Sequence, residues 1–291
     1  MAVPGQERVD SYRLVYLLRK GQTCEVWEVY REGEEQNRMA MKLLPRGSRF
    51  TREQIGFLKQ EFQIARHLEH PNIIRVFDFA QVPEGAYVLM ELFRAPNLKQ
   101  RIQDPSQDFL YYAEEIIRGA ALSLAYLHDQ GWVHRDVKPD NFLVGDNGET
   151  KLIDFNLAIR RQGFLNRLLP GRNKIQGTMS YMSPEQIRGQ PVDARADIYS
   201  FGCVLHEIFS GKPPFTGASA QELLTKHLRT PPPSLEAHNK SVQPAFAKLV
   251  QQMLAKDPAK RPESVREFQD RLLQTQVFRE RPKRPEPQVE K

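Results

Sequence analysis

The chain has 291 residues, 40% hydrophobic and 27% charged, which exceeds the usual single domain and excludes a largely disordered polypeptide. Lysine and arginine outnumber aspartate and glutamate by 42 − 36 = +6, too mild a surplus at this size to imply nucleic-acid binding. No apolar run reaches a membrane span, residues 1–10 carry no signal-peptide core, and Cys24 and Cys203 alone make no disulfide framework; the expectation is a cytoplasmic protein with no membrane span.

In chain order, residues 12–18, 25–30 and 38–44 read as strands, separated by a loop at Gly21 and a polar turn at 32–37. Leu58, Phe62, Ala65 and Leu68 share one helical face, and Pro71 closes that helix. Strands over 73–79 and 86–93 follow, joined at Pro83-Glu84-Gly85. Beyond Pro96 the period changes from two to 3.6: Ala113, Ile116, Ile117, Ala120, Ala121, Leu124 and His128 mark a core helix stopped by Gly131. A second strong helix spans 197–210, with weaker ones near 218–228, 242–254 and 263–273. The expected class is therefore α+β. An N-terminal extension covers 1–11, a small antiparallel-sheet lobe with one main helix 12–92, and a larger, mostly helical lobe 93–275. A proline- and charge-rich disordered tail covers 276–291.

The chemistry concentrates in His134-Arg135-Asp136-Val137-Lys138-Pro139-Asp140-Asn141, followed by Asp154-Phe155-Asn156 after a short strand. Phosphoryl transfer needs such a kit: a carboxylate to accept a hydroxyl proton, and hard oxygen ligands to hold Mg²⁺ against phosphates. Alone, His-Arg-Asp is a chance tripeptide; H-R-D-x-K-P-x-N followed by D-F is a specific signature.

With these motifs the sequence resembles the protein-kinase family, specifically the eukaryotic-like Ser/Thr kinases of bacteria, over about residues 12–275. Met39-Ala40-Met41-Lys42 looks like the lysine strand, Glu61 its helical partner, and Met90-Glu91-Leu92-Phe93 the segment facing the adenine. Gly177-Thr178 through Ser183-Pro184-Glu185 resembles the end of an activation segment, and Asp197 and Arg261 match late structural anchors, Arg261 pairing with Glu185. The resemblance implies a two-lobed kinase fold and ATP- and Mg²⁺-dependent transfer (Mn²⁺ as an alternative ion) to Ser/Thr hydroxyls of proteins, in signalling. Lys42 and Glu61 would hold the α/β-phosphates, Asp136 would be the base and Lys138 would stabilise the transferring group. Asn141 and Asp154 would bind metal. Gly21, Val26, Ala40, Met90, Glu91, Phe93 and Leu143 would form the nucleotide site, and Arg135 and Thr178 would belong to substrate positioning. A kinase-shaped binding module with little transfer activity is the rival reading.

Three departures bear on that rival. The nucleotide loop, Arg19-Lys20-Gly21-Gln22-Thr23-Cys24, keeps only one of three expected glycines. Asn156 stands where glycine is usual, and asparagine is among the side chains that best tolerate positive φ. Between Asn156 and Gly177 there is no hydroxyl residue, but there are Arg160, Arg161, Arg167, Arg172 and Lys174 around Phe164, Leu165, Leu168 and Leu169. These cations are expected to meet an acidic surface of a partner, substrate or this chain, with no phosphate for Arg135 to bind there.

Overall fold

The computed structural model describes residues 8–21, 23–45, 52–106, 108–161 and 177–284. The chain divides into two units, Met1–Arg94 with Asp154–Asn156, and Ala95–Ile153 with Leu157–Lys291.

In the first unit, β1 (Arg8–Val9), β2 (Tyr12–Lys20), β3 (Glu25–Arg31) and β4 (Arg38–Pro45) lead into α1 (Arg52–Ala65), then β5 (Val76–Val82) and β6 (Gly85–Glu91). One antiparallel sheet takes the order β1-β2-β3-β4-β6-β5. Strand alternation sorts its side chains. Trp27, Val29, Met41, Leu43, Tyr87 and Leu89 form one buried cluster with Val9. The intervening residues of β3, β4 and β6 (Val26, Ala40, Lys42 and Met90 among them) therefore face the other way. Helix α1 packs on β5 and β6.

The second unit is mainly helical: α2 (Leu98–Gln103), α3 (Ala113–Asp129), α4 (Pro184–Ile187), α5 (Ala194–Ser210), α6 (Ala220–Arg229), α7 (Leu235–His238), α8 (Pro244–Met253) and α9 (Val265–Leu273). Helix α5 is buried almost all round and packs against α3, α7 and α8, as expected of an axial core helix. Its Phe201 ring lies 5.6 Å from Phe268 and 6.4 Å from Phe142. Two small antiparallel pairs complete the unit: β7 (Trp132–Val133) with β10 (Ile159–Arg160), and β8 (Phe142–Val144) with β9 (Thr150–Leu152). Among the described residues, no helix is long and apolar enough to cross a membrane.

Several sequence boundaries move. The expected extension 1–11 contains β1, because Val9 (4% exposed) joins the sheet's core. The tail expected from 276 is anchored at its start: Val277 and Phe278 are buried, and Gln243 N–H donates to Val277 O at 3.0 Å. The lobe division falls after Arg94 rather than 92, and Asp154–Asn156 groups with the first unit. The strand expected over 73–79 starts at Val76, because Ile73 N–H closes a turn on His70 O.

Arg261 is buried and forks onto both Glu185 oxygens at 2.7 and 2.9 Å, while also donating to Arg195 O and Ala255 O. Removing one partner of such a pair leaves an uncompensated buried charge. Arg261→Met should therefore cost about 3–5 kcal/mol, read from urea unfolding midpoints. Arg266→Ala, in an exposed pair with Asp129, should leave the midpoint nearly unchanged.

Candidate functional site

In the first unit, β4 sets Lys42 on the sheet face opposite the main cluster, opposite Val26 on β3 and Val88 on β6. Its Nζ lies 2.6 Å from Glu61 Oε2, on α1, and 3.2 Å from Asp154 Oδ1. Burial would depress the ammonium's pKa, but the Asp154 and Glu61 carboxylates outweigh it and raise it, keeping Lys42 charged. Burial, with Asp154 alongside, raises Glu61 above the carboxylate range against Lys42's pull.

Asp154 adopts φ +68°, a left-handed backbone rare for a non-glycine residue. Phe155 is fully buried. Asn156 does not share the positive φ, so asparagine at that position is unstrained.

A tight backbone contact joins the two strands β2 and β3 at their turn. Gly21 N–H donates to Cys24 O at 2.9 Å, and a Cβ on Gly21 would stand 2.9 Å from that same oxygen. Glycine is thus required at 21, and strand pairing continues to Lys20↔Glu25. Arg19 is exposed. Ala40 lies between Glu28 and Met90 across the strands. Glu91 N–H donates to Arg75 O at 2.9 Å, and the Glu91 carboxylate accepts Arg75 N–H at 3.0 Å. Leu143 lies in the second unit, bridged to Asn97.

In the second unit, four donor contacts reach the Asp136 carboxylate. Thr178 N–H and hydroxyl lie 2.9 and 3.0 Å from Oδ1, and Lys138 Nζ and Asn141 Nδ2 lie 2.6 and 3.4 Å from Oδ2. Lys138 Nζ also donates to Thr178 Oγ1 at 2.9 Å, closing a triangle. Asn141 Nδ2 donates to Asp136 O at 2.9 Å, leaving its amide oxygen as an acceptor.

Arg135, at φ +67°, is held by its N–H to Asp197 Oδ1 (2.8 Å) and by Gln186 Nε2 to its carbonyl (2.9 Å). Asp197 Oδ2 also accepts His134 N–H at 2.7 Å and meets His128 Nε2 at 2.8 Å. Burial would raise the Asp197 carboxyl, but these bonds hold it below the usual range. Gly177, at φ +119°, passes so close that a Cβ would stand 3.1 Å from Arg135 O. Arg135 Nε is buried without a hydrogen-bond partner among the described residues.

The sequence reading does not single out Gln186, and it names His128 only as part of the core face of α3. Gln186 carried a signal, the Ser183-x-x-Gln186 capping box that opens α4. Arg160 stacks over Trp132 at 4.7 Å, while Phe164, Leu165, Arg167, Leu168, Leu169, Arg172 and Lys174 lie outside the described residues.

Residues 12–276 match the family model described as the protein kinase domain. The serine/threonine-protein kinase PknB of Mycolicibacterium smegmatis is 34% identical over 92% of this chain and 43% of its own length. PknB of Mycobacterium tuberculosis is 33% identical over 91% and 42%, and PrkC of Bacillus subtilis 32% over 79% and 35%. The chain thus spans about two-fifths of the length of the PknB relatives it matches.

Burial, offset in part by Lys42, raises the Cys24 thiol, and burial pushes Cys203 up further. At pH 7.5 Cys24 should alkylate with iodoacetamide more slowly than a free peptide thiol, and Cys203 only after denaturation. Peptide mass mapping against time checks both; a faster Cys24 would contradict its raised pKa.

Proposed function

The chain belongs to the protein kinase domain family, and on that premise we propose that it transfers the γ-phosphoryl group of ATP to serine and threonine hydroxyls of protein substrates in signalling. The observation that carries the reading is Asp136, fixed in one orientation by Thr178, Lys138 and Asn141. A carboxylate so held serves to align a substrate hydroxyl and take its proton at an oxygen. Lys138 neutralises charge on the transferring group, and Thr178 ties the substrate-positioning turn to the base.

Lys42, charged and braced by Glu61, balances the α/β-phosphates. Val26, Ala40 and Leu143 supply apolar contact for the adenine, while Gly21, Met90 and the backbone of Glu91 and Phe93 frame and read it. Asp154's carboxylate and Asn141's amide oxygen are hard donors that suit Mg²⁺, or Mn²⁺, which takes few protein ligands beside phosphate and water. When bound, the ion supplies charge stabilisation at the phosphates. Asp197, Arg135, Glu185 and Arg261 support this loop and the segment after it. We place the domain in the cytoplasm, where ATP is supplied, and assign the cations of 160–174 to an acidic surface on substrate or partner.

Asp136→Asn should leave ATP affinity intact and lower kcat by about 10²–10⁴, measured with Mg-ATP and a panel of protein substrates. Equal trace phosphorylation by wild type and variant would favour a binding module instead. Because residues 157–177 contain no hydroxyl group, phosphatase-treated protein should retain its initial rate. A large loss mapped to this segment would overturn that expectation.

A further inference from the structure

Glu28 is a charged side chain in an unusual place. It faces the same side of the sheet as Lys42, in the cross-strand row Glu28–Ala40–Met90, and is only 8% exposed. Buried carboxylates are retained where something specific pairs with them. The partner is Arg94, 66 residues on, whose Nε and Nη2 reach Oε2 and Oε1 at 3.0 and 2.8 Å. That two-pronged geometry fixes direction as well as distance. Arg38, stacked on Tyr30 at 4.6 Å, lies 4.0 Å from the same carboxylate, and its neighbour Arg94 is the closer cation.

Strand β6 ends at Glu91, so Arg94 lies beyond the sheet's ladder. The Glu91–Phe93 segment is nevertheless tied at both ends. At its start, Glu91 exchanges two bonds with the Arg75 backbone. Just past its end, the Arg94 fork ties the chain back to β3. We propose that Glu28 and Arg94 are positioning residues for the nucleotide base, holding the outer end of the 91–93 segment so that its backbone meets the adenine edge. The inference rests on the phosphotransfer reading above. The physical gain is pre-organisation: a segment already fixed loses less freedom on binding. Such a device acts on ground-state binding, so it alters KM for ATP and spares kcat.

Calorimetry of adenosine and ATP binding, alongside steady-state kinetics, tests this with Arg94→Met, Glu28→Gln and the double variant. Arg94→Met leaves Glu28 with Arg38 at 4.0 Å, Glu28→Gln removes the buried charge altogether, and thermal melts verify that each variant is folded. Each single variant should weaken adenosine and ATP by the same factor, roughly three- to tenfold, and the double no more than one single. KM for the protein substrate and kcat should hold. Wild type that binds ATP while the variants bind equally well would overturn this inference alone. So would a loss confined to ATP, which would place the effect at the phosphates, or a parallel shift in kcat and both KM values, the mark of a general structural role. Wild type without measurable ATP binding would overturn the phosphotransfer reading and this inference with it.

Discussion

One buried carboxylate organises the second unit. Asp197, at the start of α5, meets His128 from α3 and the backbone N–H groups of His134 and Arg135. Removing a carboxylate from water costs several kcal/mol. Hydrogen bonds to a charged acceptor return roughly 1.5–3 kcal/mol each, and two of them, from the His134 and Arg135 N–H groups, also hold Arg135 in a backbone conformation that costs about 1–3 kcal/mol on its own. The strained residue immediately precedes Asp136. The bend that presents the Asp136 carboxylate is thus maintained from the most buried helix of the unit.

The first unit solves the opposite electrostatic problem. There a partly buried cation, Lys42, has two carboxylates, Glu61 on α1 and Asp154 beyond β9. One ammonium cannot fully neutralise both, and the excess negative charge falls on a patch whose proposed ligand is itself anionic. A divalent cation at Asp154 would relieve that imbalance, which gives metal and phosphate a reason to arrive together. Lys42 is therefore the charge that permits buried Glu61 and partly exposed Asp154 to lie near each other.

The division between what the sequence disclosed and what it hid follows distance along the chain. Asp136, Lys138 and Asn141 lie within six residues, and their spacing in a single loop already implies convergence. Helices α3 and α5 were legible from apolar periodicity. Glu28 and Arg94, 66 residues apart, leave no local pattern, since each alone looks like an exposed charge. The left-handed backbone at Arg135 and Asp154 was equally hidden, because the tertiary bonds that enforce it outweigh residue preference. Val9 and Val277–Phe278 were taken for terminal segments because their polar neighbours mask them; their burial depends on partners far away in sequence. Ile73 and Ile74 look like strand and are buried, yet β5 begins only at Val76, so burial and membership of a strand are separable.

The backbone at 154–156 biases the population of conformers. The left-handed residue is Asp154, while Asn156 sits at ordinary φ with Phe155 fully buried. Glycine at 156 would visit the left-handed region freely, whereas for asparagine the same excursion costs of order 1 kcal/mol, a factor of about five in occupancy. Any rearrangement of Phe155 that turned on residue 156 would be correspondingly rarer than with glycine there. A small molecule that binds only to such a rearranged state would lose affinity by that factor, whereas one that accepts buried Phe155 would not. A chain with glycine at 156 would not impose that loss, so selectivity between the two would arise from a residue the small molecule never touches.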